Sequence, residues 1–300
     1  MKKLALSVAA LAVSAGAALA ADLPSRKGPP VLPPPPPPPP MWTGFYVGLN
    51  AGGTWANSTA ITTAAAPFFA NPALGGSEPS AFLAGLSANS VGNTNASGFI
   101  GGGQIGYNYQ FYNSFVVGIE ADIQGIAGSS NSSNTFGAAG DGTRSYFTFG
   151  QVRSNLDYLG TVRGRLGWLA MPTLLIYGTG GLAYGGVSLN SAYVSTRDPV
   201  AFTLVPFFGG AAFSDTRVGW TAGGGVEWMF MPNWSAKVEY LYYDLGTVST
   251  NSAAVQLNGA GVPFVGYAAQ TSHRYDGNIV RAGLNYHFNW GAPAPVVAKY

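Results

Sequence analysis

Ten ionisable side chains recur at alternate positions in apolar, aromatic-rich segments: Glu120, Asp122, Asp157, Arg163, Arg165, Arg217, Glu227, Lys237, Glu239 and Arg281. Residues two apart on an extended backbone share a face, so this pattern gathers five acids and five bases on one side of a sheet. Such a set can pair into a buried ion network or line a path for small ions. Glu227 and Glu239 could form a carboxylate pair for acid–base work, but Arg217, Lys237 and Arg281 share their face, and ion pairing is the expected fate. His273 and His287 are the only histidines. A metal site needs two or three such ligands converging, so His287 reads as a packed polar residue. Cysteine is absent, which removes disulfides, thiol catalysis and thiolate metal sites. Gly101-Gly-Gly-Gln-Ile-Gly106 fits G-x-G-x-x-G, but that fingerprint requires a strand before it and a helix after it. Here it lies inside an alternating segment. No nucleophile elbow or Ser/His/Asp spacing stands out. The expectation is no enzyme, no cofactor and no metal.

The elements that carry these charges are strands. In Ser154–Trp168, Leu156, Tyr158, Val162, Leu166 and Trp168 alternate with Asp157, Thr161, Arg163 and Arg165. The apolar set is bulky and aromatic, and the opposite face is charged in segment after segment. Charge inside and aromatics outside is the inverted pattern of a β-barrel in lipid. A soluble, lipocalin-like barrel would show the reverse. Eight strands are expected, near 43–56, 97–111, 114–127, 151–169, 173–187, 215–230, 233–246 and 274–288. Tight turns at Tyr112-Asn113, Met171-Pro172 and Met231-Pro232 alternate with long loops, the first from about Asn57 to Ala96. Short periplasmic turns, long extracellular loops and an even strand count characterise outer-membrane barrels. The fold class expected is therefore an all-β, eight-stranded antiparallel transmembrane β-barrel, with both termini periplasmic. The polar loops, such as Asn131–Thr135 and Thr247–Ala254, are expected to stay mobile. Leu174–Tyr184 is apolar on both faces, and its parity stays open.

Composition agrees. Charged residues make up 9% of the 300, against about a quarter in soluble proteins. After residue 20 no apolar run reaches the roughly 20 residues a spanning helix needs. A membrane chain without such helices must close a barrel to satisfy its backbone. Lys2 and Lys3, the apolar run Leu4–Leu19 and Ala18-Leu-Ala20 read as a signal peptide cleaved after Ala20. Without Lys2 and Lys3 the chain carries 12 basic and 12 acidic residues, a neutral balance that does not point to nucleic acid. Residues 21–41 form a proline-rich periplasmic linker. Its unbroken run Pro33–Pro40 would extend about 25 Å at roughly 3.1 Å per residue, either as a spacer touching peptidoglycan or another protein or as a plain tether. The barrel is expected over 42–288 and a C-terminal extension over 289–300.

Width bears on the charges. An eight-stranded barrel is only wide enough for side chains to fill it, and water-filled channels normally need 16 or more strands. The ten charges therefore read first as an ion-pair plug, with Gln104, Gln124, Thr161, Thr221 and Asn285 satisfying leftover donors and acceptors. A narrow pore for small solutes is the alternative.

Two resemblances follow. Arg281-Ala-Gly283-Leu-Asn-Tyr286-His-Phe288 resembles the β-signal by which the outer-membrane assembly machinery recognises a last strand. Twelve residues follow it here, so either it works internally or Val296–Tyr300 supplies a second end. Ala21-Asp-Leu-Pro24, the proline linker, Trp42–Gly53, Tyr177–Tyr184, Gly219–Glu227, Val238–Asp244 and the closing strand resemble the small outer-membrane immunogenic, porin-like β-barrel proteins of α-proteobacteria. That resemblance implies location in the cell outer membrane, contact with its lipid bilayer and assembly machinery, and a structural or surface-antigen role. Some relatives are linked to haem binding through their loops, but no residue here can be given that role.

Overall fold

Alternation of buried and exposed side chains runs through eight strands that close on themselves. The computed structural model describes residues 41–288, apart from 75–76, 113, 129–130, 199–205 and 259. The proposed signal peptide, the proline run and the extension after Phe288 lie outside the described residues. Strands β1 (Gly44–Ala56), β4 (Ser97–Phe111), β5 (Phe115–Ala127), β7 (Ser145–Met171), β8 (Leu174–Asp198), β9 (Phe207–Met231), β10 (Trp234–Leu257) and β11 (Pro263–Phe288) pair in that order. β11 then pairs with β1, from Phe45 opposite Phe288 to Ala56 opposite Gly277, and every junction is antiparallel. This is the closed ring of eight. Three short strands stand outside it: β2 (Ala60–Ala70) on β11, β3 (Ser90–Asn93) on β2, and β6 (Asn131–Gly140) on β7.

The turns at Pro172-Thr173 and Pro232-Asn233 are two residues long, and Tyr112 enters the β4–β5 turn at φ 47°. At the other end the chain departs from expectation. β7 to β11 are 24–27 residues long, more than twice the roughly 9–11 residues that cross a bilayer. The segments expected to be mobile, Asn131–Thr135 and Thr247–Ala254, are strand. The first long connection holds β2, β3 and an α-helix, α1 (Glu78–Ala88). The reason is visible inside the extended barrel, where small hydroxyls meet one another rather than water. Thr63, Tyr193 and Thr271 form one hydroxyl cluster, and Ser87, Thr148, Ser195 and Tyr267 form a chain of 2.8 Å contacts. Polar composition suggested loop; paired hydroxyls made it core.

α1 starts at Ser77, whose side chain accepts the Ser80 backbone N–H, with Glu78 in the first turn. Both features favour a helix N-terminus. Leu83, Ala84 and Ala88 pack against Tyr146, Phe207, Ala254 and Tyr267 at the long-connection end of the barrel.

The outer face is apolar and aromatic, as alternation predicts. Phe45, Leu49, Ile105, Val117, Ile119, Val162, Trp168, Val226, Trp228, Trp234, Val238, Tyr240 and Leu284 are all exposed apolar side chains. Trp168, Trp228, Trp234 and Tyr286 ring the short-turn end, while Tyr158, Trp220 and Tyr242 lie 8 to 10 residues further along the first three of those strands and Trp55 faces Asn278, eight residues from Tyr286. At about 3.3 Å per residue and a tilt near 40°, that separation is roughly 20–25 Å, the height of a lipid-facing band bounded by aromatic girdles. Parity in β8 is also settled: Leu175, Tyr177 and Ala183 point inward, Ile176 and Leu182 outward.

One expectation on β7 is overturned. Leu156 is buried and Asp157 is exposed. Leu156 faces Val187 and Tyr158 faces Gly186, so Asp157 is the extra residue of a β-bulge. A bulge breaks strict alternation, and parity counted upward from Arg163 fails there.

Candidate functional site

Strict alternation below the bulge aims eight charged side chains into the barrel. They are Glu120 and Asp122 on β5, Arg163 and Arg165 on β7, Glu227 on β9, Lys237 and Glu239 on β10, and Arg281 on β11, each nearly or fully buried. Arg163 is the hub. Its Nη2 donates to Glu120 and, at 2.8 Å, to Asp122; its Nη1 reaches Glu239 Oε1 at 2.9 Å and its Nε reaches Thr161 at 2.9 Å. Arg281 donates through Nε and Nη2 to Glu239 Oε2 at 2.9 and 2.6 Å, and Nη2 also reaches Asp122 at 2.7 Å. Arg165 donates to Glu227 at 2.6 Å and to the Tyr46 hydroxyl at 2.7 Å. Its guanidinium also lies 3.9 Å from the Tyr177 ring centroid. Lys237 Nζ sits 2.8 Å from both oxygens of Glu120.

Two expected members are elsewhere. Asp157 is carried outside by the bulge. Arg217 is half-buried beyond the upper girdle and donates to the Thr247 carbonyl at 3.4 Å. The network is therefore four acids and four bases, still balanced. Glu227 and Glu239 do not form a carboxylate pair: Arg165 holds one, and Arg163 and Arg281 hold the other. Of the expected polar helpers, Gln104 bridges Asn50 and Asn285, Gln124 accepts from Arg281, Thr161 accepts from Arg163, and Asn285 donates to Glu227. Thr221 instead donates to the Tyr242 carbonyl, outside the network.

Sequence reasoning missed Tyr46, Tyr177 and Ser235, which donate to Glu120, Glu239 and Glu227 at 2.7, 3.1 and 2.6 Å. Parity signalled Tyr46, the inward neighbour of outward Phe45 and Val47. Tyr46 also explains the last of the dinucleotide-like glycines. A Cβ on Gly106 would sit 2.3 Å from the Tyr46 hydroxyl oxygen, so this glycine makes room for a phenol in the lumen.

Apolar layers flank the charges on both sides. Toward the short turns, Trp42 is fully buried among Val116, Leu169, Leu175, Tyr177 and Met229, and its Nε1 donates to the Pro172 carbonyl at 2.9 Å. His287 stacks edge-on to Trp42 at 5.8 Å and contacts the Ser235 hydroxyl at 2.8 Å. Beyond the charges, Ile100, Leu159, Ala183, Leu241, Leu245 and Ile279 form an apolar layer, followed by the hydroxyl clusters and α1. No group of three potential metal ligands occurs among the described residues.

A closed eight-stranded ring with an aromatic-banded outer face and a buried, ion-paired interior defines an outer-membrane β-barrel protein. Comparisons agree: residues 5–288 match the outer membrane protein beta-barrel domain family. The 31 kDa outer-membrane immunogenic protein of Brucella melitensis biotype 1 is 34% identical over 248 residues, 82% of this chain and 84% of that one. The 22 kDa outer membrane protein of Rhizobium leguminosarum bv. viciae is 31% identical over 189 residues, 62% of this chain and 66% of that one. The crystal structure of OprG from Pseudomonas aeruginosa aligns over 82% of this chain and 97% of its own with a TM-score of 0.36 and 8% identity, a likeness too distant to inform the site. The chain belongs to the outer membrane protein β-barrel domain family, and its place is the cell outer membrane.

Proposed function

We propose that the protein is a non-catalytic structural barrel of the outer membrane, plugged by its ion network, that displays an extended, folded surface to the exterior. The carrying observation is the Lys237–Glu120 contact, which joins β10 to β5, four strands away in either direction around the ring. Bonds of that span leave no continuous aqueous core. Strands that run far beyond the girdles, topped by α1, provide the exposed surface suited to an antigen. The Brucella relative is named as immunogenic, which supports that reading. Arg281, Gly283, Tyr286 and Phe288 lie on the last strand of the ring, the position where an assembly machinery would read its signal.

Planar-bilayer recording tests the plug. The expected result is no reproducible single-channel steps from the unmodified protein. Steps whose size changes with Arg163→Ala or Glu227→Ala would establish a narrow solute channel instead.

A further inference from the structure

The lipid-facing wall is not uniformly convex. An apolar groove of about 1380 Å³ runs over β1, β11, β10 and β9 on the outside of the barrel. Its floor is made of small side chains: Ala51 faces Ala282 across the β1–β11 ladder, and Ala236 lies one row nearer the short turns, beside Trp228. Its rim at the short-turn end is aromatic, with Trp234 opposite Tyr286 in an edge-on contact at 5.3 Å.

We propose that this groove binds one acyl chain of a phospholipid in the periplasmic leaflet. Position identifies the occupant. The groove lies inside the band that meets hydrocarbon, so it continues the surface already covered by lipid. It extends from the Tyr286–Trp234 row to the Ala282–Val238 row, four residues along each strand. At about 3.3 Å per residue and a 40° tilt that is roughly 10 Å along the bilayer normal, close to half of a band about 25 Å tall. One leaflet fits that height. Trp228, Trp234 and Tyr286 stand at the level where amphipathic rings meet headgroups, so the chain enters from the periplasmic side. Small residues at 51, 236 and 282 leave the depth, and the bulkier Leu49, Leu284 and Val238 beside them form its walls.

The test uses the full mature barrel, delipidated in detergent, titrated with an unsaturated phosphatidylethanolamine and read by native mass spectrometry. The expected result is a dominant adduct of one lipid per chain. Ala236→Phe and Ala282→Phe, which fill the floor without touching the lumen, should lower that adduct at least about fivefold. Val162→Phe, on the lipid face of β7, should leave it unchanged. Heat-modifiable gel mobility checks that each variant is folded. As a second readout, phosphatidylethanolamine with brominated chains should quench part of the tryptophan emission at one lipid per protein, and Trp228→Phe with Trp234→Phe should abolish that part. Absence of a one-lipid adduct, adducts indifferent to the filling variants, or a second copy of the chain displacing lipid would each overturn the proposal.

Discussion

Lys237 Nζ lies equidistant, at 2.8 Å, from both carboxylate oxygens of Glu120 on the opposite wall of the barrel. The two partners are not equivalent. Glu120 also accepts from Tyr46 and Arg163 and lies 3.5 Å from Arg165, whereas the next carboxylate beyond Glu120 is 4.0 Å from Lys237. Removing one member of a buried pair typically costs about 3–5 kcal/mol because a charge is left behind. Glu120→Gln should therefore fall in that range, and Lys237→Met should cost less. In the Glu120→Gln background, Lys237→Met should be close to neutral, since the stranded ammonium is gone. Urea midpoints of the detergent-folded barrel, arranged as a double-mutant cycle, measure this coupling. Additive losses would show that the contact is not formed.

The bulge on β7 makes a sharper claim about register. Deleting Asp157 removes the extra residue yet keeps Leu156 and Leu159 inward, so the variant should assemble. Deleting Val162, which faces Ala121 on β5 and Leu182 on β8 within the regular ladder, should not, because a one-residue slip sends every later side chain to the wrong face. Outer-membrane fractionation and mobility before and after boiling distinguish the two.

The length of β7 separates a lipid-facing half from a water-facing half. Val162 and Phe149 are both exposed on the outer face of that strand. Val162 lies between the girdle residues Tyr158 and Trp168, whereas Phe149 lies nine residues beyond Tyr158. An arginine near the bilayer midplane costs about 2–4 kcal/mol. Val162→Arg should lower folding stability by that amount, and Phe149→Arg should cost only the loss of its ring contact with Phe136 at 4.9 Å, about 0.5–1.5 kcal/mol. Equal effects would place Phe149 in lipid.

His273, beyond the upper girdle, gives the extended region a pH dependence. Burial lowers its basicity below the ordinary imidazole value, against the opposing pull of the Ala60 carbonyl at 3.1 Å and of Asp276. Below about 6.5 the unfolded chain takes up a proton that the folded chain resists, so this group's contribution to stability falls as pH drops through that range. Above it both states are neutral and the contribution is constant. Thermal midpoints between pH 5 and 8 should decline on the acid side, and His273→Gln should flatten the decline.

How much of this was legible in the sequence follows from what sets each feature. The ring and its charged interior were readable because a period of two ties every side chain to one of two environments, as Arg163, Arg165 and Lys237 show. The outward place of Asp157 is not legible, because a bulge leaves no mark on alternation until the partner strand is known. Arg217 keeps the inward beat of Glu227 but sits above the layer where charges pair. The extracellular strands look like loops in the sequence because Ser, Thr and Gly carry little apolar signal, and only their pairing across the barrel, Thr148 with Ser195 for instance, reveals a core. α1 lay in the same blind region: its cap at Ser77 was present in the sequence, but its docking surface comes from strands far along the chain.

Cysteine accessibility along β7 tests the sealed lumen most directly, since the native chain contains no cysteine. Thr161→Cys, Val162→Cys and Asp157→Cys would be exposed in whole cells to a charged, water-soluble thiol reagent and, separately, to a lipid-soluble one. A plugged barrel in lipid requires that the water-soluble reagent label Asp157→Cys alone and that the lipid-soluble reagent label Val162→Cys. Labelling of Thr161→Cys by the water-soluble reagent, from either side of the membrane, would contradict the sealed lumen.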